Sequence, residues 1–186
     1  MQSFRIARTL YYMKALLPEV KGLRDAKLYK RIERGDMSAL DELIGRYYPE
    51  ILRYCRAHAP ESFGEDAAQE TFLKAVRHLE AYVERGHFRA WLYKIASNVC
   101  ADFHRASEDA GELEEIPRID PGYERAELSA DLAGALSALD EKQREIVELR
   151  YIQGLKLREC AEVLGVPLRT AQSRERAALR RLKKLM

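Results

Sequence analysis

Apolar residues in this 186-residue chain recur at spacings of three and four, and strict apolar–polar alternation is nearly absent. That period is helical, because positions i, i+3, i+4 and i+7 share one helix face. The chain therefore reads as all-α. A first helical block is predicted over about residues 24–105. Within it, Asp36 and Ser38 are candidate caps for a helix carrying Leu40, Leu43, Ile44 and Tyr47. The stretch Pro60 to Gly64 interrupts the pattern, and a helix through Phe72, Val76 and Leu79 follows. Tyr82 to His87, with Gly86, reads as a loop, and another helix is predicted from Phe88 to about His104. A second block starts near Leu128. Asp140 with Gln143 three residues on resembles a capping box, and Ile146, Val147, Leu149 and Tyr151 precede a turn at Gly154.

The end of the second block has the spacing of a helix-turn-helix. Ala161 is small enough for two helices to approach closely, and Gly165 suits a turn with positive φ. Pro167 presets φ for the first turn of the next helix. On that helix Ala171, Ala178 and Leu182 recur on one face, which leaves Gln172, Ser173, Arg176 and Arg180 pointing outward. Amides, hydroxyls and guanidinium groups so placed suit base edges and phosphates. A helical hairpin with a solvated basic face would show the same pattern.

Between the blocks, residues 106–127 change character. They hold two glycines, two prolines and few large apolar residues, too little to offset the entropy of ordering, so a flexible linker is expected. The net charge of +2 conceals a strong division. Residues 106–127 carry eight acidic and two basic side chains, whereas residues 168–186 carry seven basic ones against Glu175 alone. Positive charge thus gathers on the second helix of the hairpin, where phosphate neutralisation needs it.

No apolar run approaches the ~18 to 20 residues that cross a bilayer. Leu10 to Leu17 is interrupted by Lys14 and lacks the cleavage site of a secretory signal. Cys55, Cys100 and Cys160 form no Cys-x-x-Cys, which fits a reducing cytoplasm better than a disulfide framework.

Four segments in order resemble the extracytoplasmic-function sigma factors, the small promoter-recognition subunits of bacterial RNA polymerase. Glu65-Asp66-Ala67-Ala68-Gln69-Glu70-Thr71-Phe72-Leu73 resembles the polymerase-docking part of the family's region 2. Phe88-Arg89-Ala90-Trp91-Leu92-Tyr93-Lys94-Ile95-Ala96-Ser97-Asn98, with Asp102 and Arg105 beyond, resembles its promoter-opening part. Leu139-Asp140-Glu141-Lys142-Gln143-Arg144-Glu145 opens the second block as region 4 opens, and Thr170-Ala171-Gln172-Ser173-Arg174 matches its helix-turn-helix. The resemblance covers about residues 24–186 and implies region 2 over 24–105, a linker over 106–127 and region 4 over 128–186. Residues 1–23 precede the family's usual start.

The resemblance implies roles for residues. Asp66, Gln69, Glu70 and Leu73 would meet a coiled coil of the core polymerase, with Phe72 packing beneath, and their i, i+3, i+4, i+7 spacing does give one helix face. A charged face is otherwise usually just solvated. At the −10 element, Tyr82, Arg85, Gly86, His87 and Asn98 would receive a base flipped from the non-template strand. Trp91 has two readings, a support for strand separation or core packing, with core favoured. At the −35 element, Arg169, Gln172, Ser173, Arg174 and Arg176 would contact duplex. Here the chain departs from the family: Arg169 stands where Gly is common, Ala171 where Val is common, and Gln172 where Lys or Arg is common. The implied partners are core RNA polymerase, promoter DNA and an anti-sigma factor. The acidic linker would run through polymerase channels that otherwise hold RNA.

Other features carry less. The spacings Cys55–His58 and Cys100–His104 occur in zinc sites, but each pair sits inside a predicted helix, so no metal or other cofactor is expected. No nucleophile, base and orienting group line up, which argues against an enzyme acting on nucleic acid. A self-sufficient helix-turn-helix regulator is the remaining alternative, and the region 2 motifs argue against it. Phe4, Ile6, Leu10, Met13 and Leu17 can share a helix face that packs on the first block or on a partner; the segment can equally be disordered, or translation can begin at Met13.

Overall fold

The computed structural model describes residues 18–82, 87–109 and 130–185, and among them every regular element is helical. Residues 1–17, Arg85 and Gly86, and most of the expected acidic linker lie outside the described residues. The chain forms two compact units, one of Lys21–Gly122 and one that includes Tyr123–Met186.

The first unit is built on α1 (Pro18–Ile32), α2 (Met37–His58), α3 (Gly64–Arg77) and α4 (Phe88–Asp109). Helix α1 starts at Pro18, inside the segment expected to precede the fold, and proline is at home in a first helical turn. Gly35 takes φ +85° between α1 and α2. Asp36 then caps α2, its carboxylate accepting from the Ser38 backbone N–H at 3.1 Å. The Ser38 hydroxyl, then Arg31, hold that carboxyl below its usual range. Helix α2 runs through Pro49, because Tyr47, Ile51, Tyr54 and Cys55 on its inner face are all buried. The predicted break at Pro60–Gly64 is a short 3-10 turn over Glu61–Phe63. Gly64 there meets α2 so closely that a Cβ would lie 2.8 Å from Arg56 Cγ. Leu79 belongs to another 3-10 turn, Leu79–Ala81, rather than to α3. Helix α4 extends to Asp109, five residues past its expected end and into the expected linker, and Ser107 there is buried.

One buried polar knot ties α1 to α2. Asp25, 4% exposed, accepts from Arg46 at 2.7 Å and from the Tyr47 hydroxyl. Burial first, then the hydrogen bond to Asp25, pushes the Tyr47 phenol far above its ordinary range. A second polar link joins α2 to α4, where Arg89 donates twice to one oxygen of Glu50, at 3.0 and 2.8 Å.

The second unit comprises α5 (Ala130–Ser137), α6 (Glu141–Val147), a π-turn (Glu148–Ile152), α7 (Leu157–Val163) and α8 (Leu168–Leu185). Asp140 caps α6 by accepting from the Gln143 N–H at 2.8 Å. Gly154 (φ +72°) and Gly165 (φ +63°) turn the chain where the sequence predicts. Pro167 sits just before α8 rather than within its first turn. Its carbonyl accepts from the N–H groups of Thr170 and Ala171 at 2.8 and 3.1 Å.

Asp25→Ala leaves Arg46 and Tyr47 facing a void. Because Arg46 keeps a second carboxylate, Glu42 at 3.0 Å, the expected loss is about 2 to 4 kcal/mol, near the lower end for breaking a buried pair. Urea unfolding of the full chain measures it, and a loss under about 0.5 kcal/mol would show that the knot holds nothing.

Candidate nucleic-acid and polymerase interfaces

The outer face of α3 carries Asp66 and Gln69 exposed, Glu70 half-buried and Leu73 53% exposed. Phe72 lies beneath, 9% exposed, with its ring 5.6 Å from that of Tyr48. It therefore holds α3 from inside and offers a partner little surface. Val76, one turn beyond Leu73, is 42% exposed and was missed as a surface residue. Its signal was its three-residue spacing from Leu73. Beside it runs a shallow apolar groove lined by Leu40, Ile44, Phe72, Val76 and Leu79. Carboxylates near the start of α3 suit the positive end of the helix dipole, so acidic residues there cost little to carry.

At the start of α4 the structure corrects one expectation. The Tyr82 ring is 8% exposed and enclosed by Tyr29, Phe88 and Trp91, at centroid distances of 5.4, 5.5 and 4.7 Å. It has no open face for a base. The physical reason is long-range: the Tyr29 hydroxyl also donates to the Tyr82 carbonyl, 53 positions away, and fixes the residue from α1. Trp91 is half-buried and part of this cluster. His87 is half-buried and its carbonyl accepts from the Trp91 N–H at 3.0 Å, which starts α4. Asn98 is exposed. It lies two turns from Trp91, about 10 Å along the axis, so Tyr82 and Asn98 do not share one pocket. Trp91, Lys94 and Asn98 instead follow one another along one helix face.

On α8, Ala171 and Ala178 are fully buried and Leu182 is 5% exposed. Arg169, Gln172, Ser173, Arg176 and Arg180 are exposed, as the spacing predicts. Arg174 is half-buried on the flank. Arg176 Nε donates back to the Gln172 carbonyl at 3.2 Å. Sequence reasoning missed Glu175, which lies on the inner face between the two alanines. It accepts from the Tyr151 hydroxyl at 2.9 Å and faces Arg150 Nε at 3.5 Å. A lone acid on a basic helix was the available signal.

Among the described residues no group of three or more His, Cys, Asp or Glu gathers to hold a metal. Cys55 lies against the Thr71 hydroxyl, and His104 Nε2 is 3.0 Å from the His58 carbonyl. No described helix is long and apolar enough to cross a membrane.

Family models match the chain twice, for sigma-70 region 2 over residues 43–109 and for sigma-70 region 4 over residues 135–184. The ECF RNA polymerase sigma factor SigD of Mycobacterium tuberculosis is 37% identical over 164 residues, spanning 80% of this chain and 77% of its own. The chain belongs to the ECF sigma factors. It is an alternative sigma factor that directs RNA polymerase to promoters for transcription initiation. This family regulates transcription and is not a family of catalysts. Among solved structures, CnrH, determined in complex with the cytosolic domain of CnrY, aligns with TM-score 0.63 at 26% identity, covering 87% of this chain and 96% of CnrH. The sigma factor RpoE of Bartonella quintana, determined with the anti-sigma factor NepR, shares the fold at TM-score 0.64 and 22% identity, over 78% of this chain and 95% of that one.

In region 4, burial first pushes the Cys160 thiol up to about 12, and burial followed by Glu175 pushes the Tyr151 phenol up to about 12. Both groups fold protonated. Their stabilisation is whole below their ordinary values of 9.0 and 10.0 and is lost as pH rises toward 12. Tyr151→Phe should therefore flatten the fall in thermal stability between about pH 10 and 12. Melting curves of the full chain at stepped pH check this; an unchanged slope would contradict it.

Proposed function

We propose that this ECF sigma factor divides its work between the two units, with residues 24–109 serving as region 2, residues 128–186 as region 4 and residues 110–127 as an acidic tether. Region 2 docks on core polymerase through Asp66, Gln69, Glu70 and Leu73, extended by Val76. The observation that carries this is the exposure of Leu73 and Val76 beside carboxylates on one helix face. Isolated surface charge is ordinary, and so is a single exposed Leu, but two apolar side chains exposed one turn apart beside an apolar groove form a patch that suits a contact. Reversing charge with Asp66→Lys or Glu70→Lys should abolish co-purification with core polymerase and run-off transcription while helical circular dichroism persists. Full retention of transcription would refute the docking face.

At the −10 element the reading shifts from that expected of the sequence. Asn98, Trp91 and His87, with Arg85 and Gly86, contact the single strand, and Tyr82 supports them from beneath. Asn98 presents both a donor and an acceptor from an exposed helix position. Asn98→Ala should lower open-complex stability about 5- to 150-fold, the loss of about 1 to 3 kcal/mol in one base contact. Permanganate reactivity of unpaired thymines measures it, with a −35 footprint in parallel. Wild-type reactivity would remove Asn98 from the interface.

At the −35 element Arg169, Gln172, Ser173 and Arg176 face the duplex from α8, and Arg174 reaches it from the flank. The chain itself carries out no catalysis, works in the cytoplasm and answers to an anti-sigma factor. The likeness to CnrH, whose structure was determined with a cytosolic protein domain, supports the last point.

A further inference from the structure

The first half of the inner face of α8 is built of small side chains: Ala171 and Ala178 are both 0% exposed, and the larger Leu182, 5% exposed, comes only a turn later. A methyl group has no rotamer and no direction, so alanines let a helix approach closely but do little to fix its roll. One residue of slip turns a helix by ~100°. Such a slip would carry Gln172, Ser173 and Arg176 away from the face they now share with solvent.

Glu175 supplies the missing direction. It lies four residues after Ala171 and three before Ala178, with its side chain 15% exposed. The Tyr151 hydroxyl donates to its Oε1 at 2.9 Å, and Arg150 Nε lies 3.5 Å from the same oxygen. Consecutive residues of a regular α-helix diverge by ~100°. Arg150 and Tyr151 nevertheless both reach one carboxylate, and both lie in the π-turn Glu148–Ile152. Insertions of this kind recur at functional positions. Arg150 also donates through Nη1 to the Leu155 carbonyl at 2.8 Å, beside Lys156, the cap of α7. The carboxylate is therefore tied both to the π-turn and, through Arg150, to the start of the other helix of the hairpin.

We propose that Glu175 is a positioning residue for promoter recognition: held by Tyr151 and Arg150, it fixes the roll of α8 against α7 and so determines which side chains meet base edges. This rests on the reading that α8 enters the −35 duplex. It goes further in assigning a specificity role to an acid that touches no DNA. Directional polar contacts in an otherwise apolar packing surface set register in the same way in coiled coils.

The test uses the full chain with core polymerase. Wild-type holoenzyme first selects −35 sequences from a promoter library randomised at that element. The affinity ratio between the selected duplex and single-base variants is then measured for wild type, Tyr151→Phe, Glu175→Met and Glu175→Gln. The ratio does not depend on how much protein is folded, because unfolded chain drops out of both affinities. A purely structural role would therefore leave it unchanged. The expected result is a fall in the ratio of about fivefold or more for Tyr151→Phe and for Glu175→Met. Glu175→Gln keeps an acceptor for the Tyr151 hydroxyl and should recover most of it. Tyr151→Phe removes a single oxygen, so it serves even where Glu175→Met fails to fold. A wild-type ratio in Tyr151→Phe would overturn the proposal. If wild-type holoenzyme selects nothing at −35, the placement of α8 on DNA fails, and the positioning role fails with it.

Discussion

The enclosure of Tyr82 is the contact that ties the start of α4 to α1, and the surface proposed for promoter opening is built on it. Tyr29 meets it edge-on from α1, Phe88 edge-on from the first residue of α4, and Trp91 stacks at a tilt one turn later. Aromatic pairs of this geometry add about 0.5 to 1.5 kcal/mol each beyond the area they bury. The cluster holds the last described residue before positions 83–86 and the first helical residues after them. Trp91 takes part with a half-buried ring packed on Tyr82 and Phe88, and it shares a helix face with Lys94 and Asn98.

The two units solve a similar problem differently. Region 2 orders its helices with large side chains in close contact, and adds polar ties at Asp25–Arg46 and Glu50–Arg89 where helices cross. Region 4 has little such bulk on the inner face of α8. Small residues bring α8 close to its neighbours, and the orientation left open by alanines is supplied by one carboxylate. The acid that looks misplaced on a basic helix is therefore on the inside of it. The basic residues are left to the outside, where solvation costs nothing until phosphate arrives.

What the sequence reveals follows the range of the interaction. Asp36 and Asp140 cap helices two and three residues ahead, and Gly154 and Gly165 adopt positive φ for reasons internal to one residue. These were legible. So was the inner face of α8, because a period of 3.6 needs only one element. Tyr82 was misread because its partners come from α1 and α4, and nothing near position 82 announces Tyr29. Glu175 was passed over for the same reason: Tyr151 lies 24 residues away. The π-turn was invisible too, since its residues keep a helical apolar pattern while the backbone inserts one position. Phe72, expected to pack beneath the face of α3, is 9% exposed, whereas Tyr82, expected at a surface, is buried.

The polymerase face shows where physics adds to a motif. Asp66, Gln69 and Glu70 are stable in water whether or not anything binds them, so their presence on a helix surface discriminates nothing. Leu73 and Val76 are different. Burying a fully exposed side chain of that size is worth about 1.5 to 3 kcal/mol; Leu73 and Val76, 53% and 42% exposed, keep about half of that for a partner, while the inner face of α3, with Ala67, Ala68, Phe72 and Ala75, is already well buried. The apolar pair is thus surplus to folding, and it borders a groove whose lining is apolar as well. A partner that covers the groove gains that burial, and the carboxylates one and two turns away set which partner can do so. In the docking proposed for this face, affinity and selectivity come from different side chains, apolar ones near the C-terminal end of α3 and acidic ones near its N-terminal end.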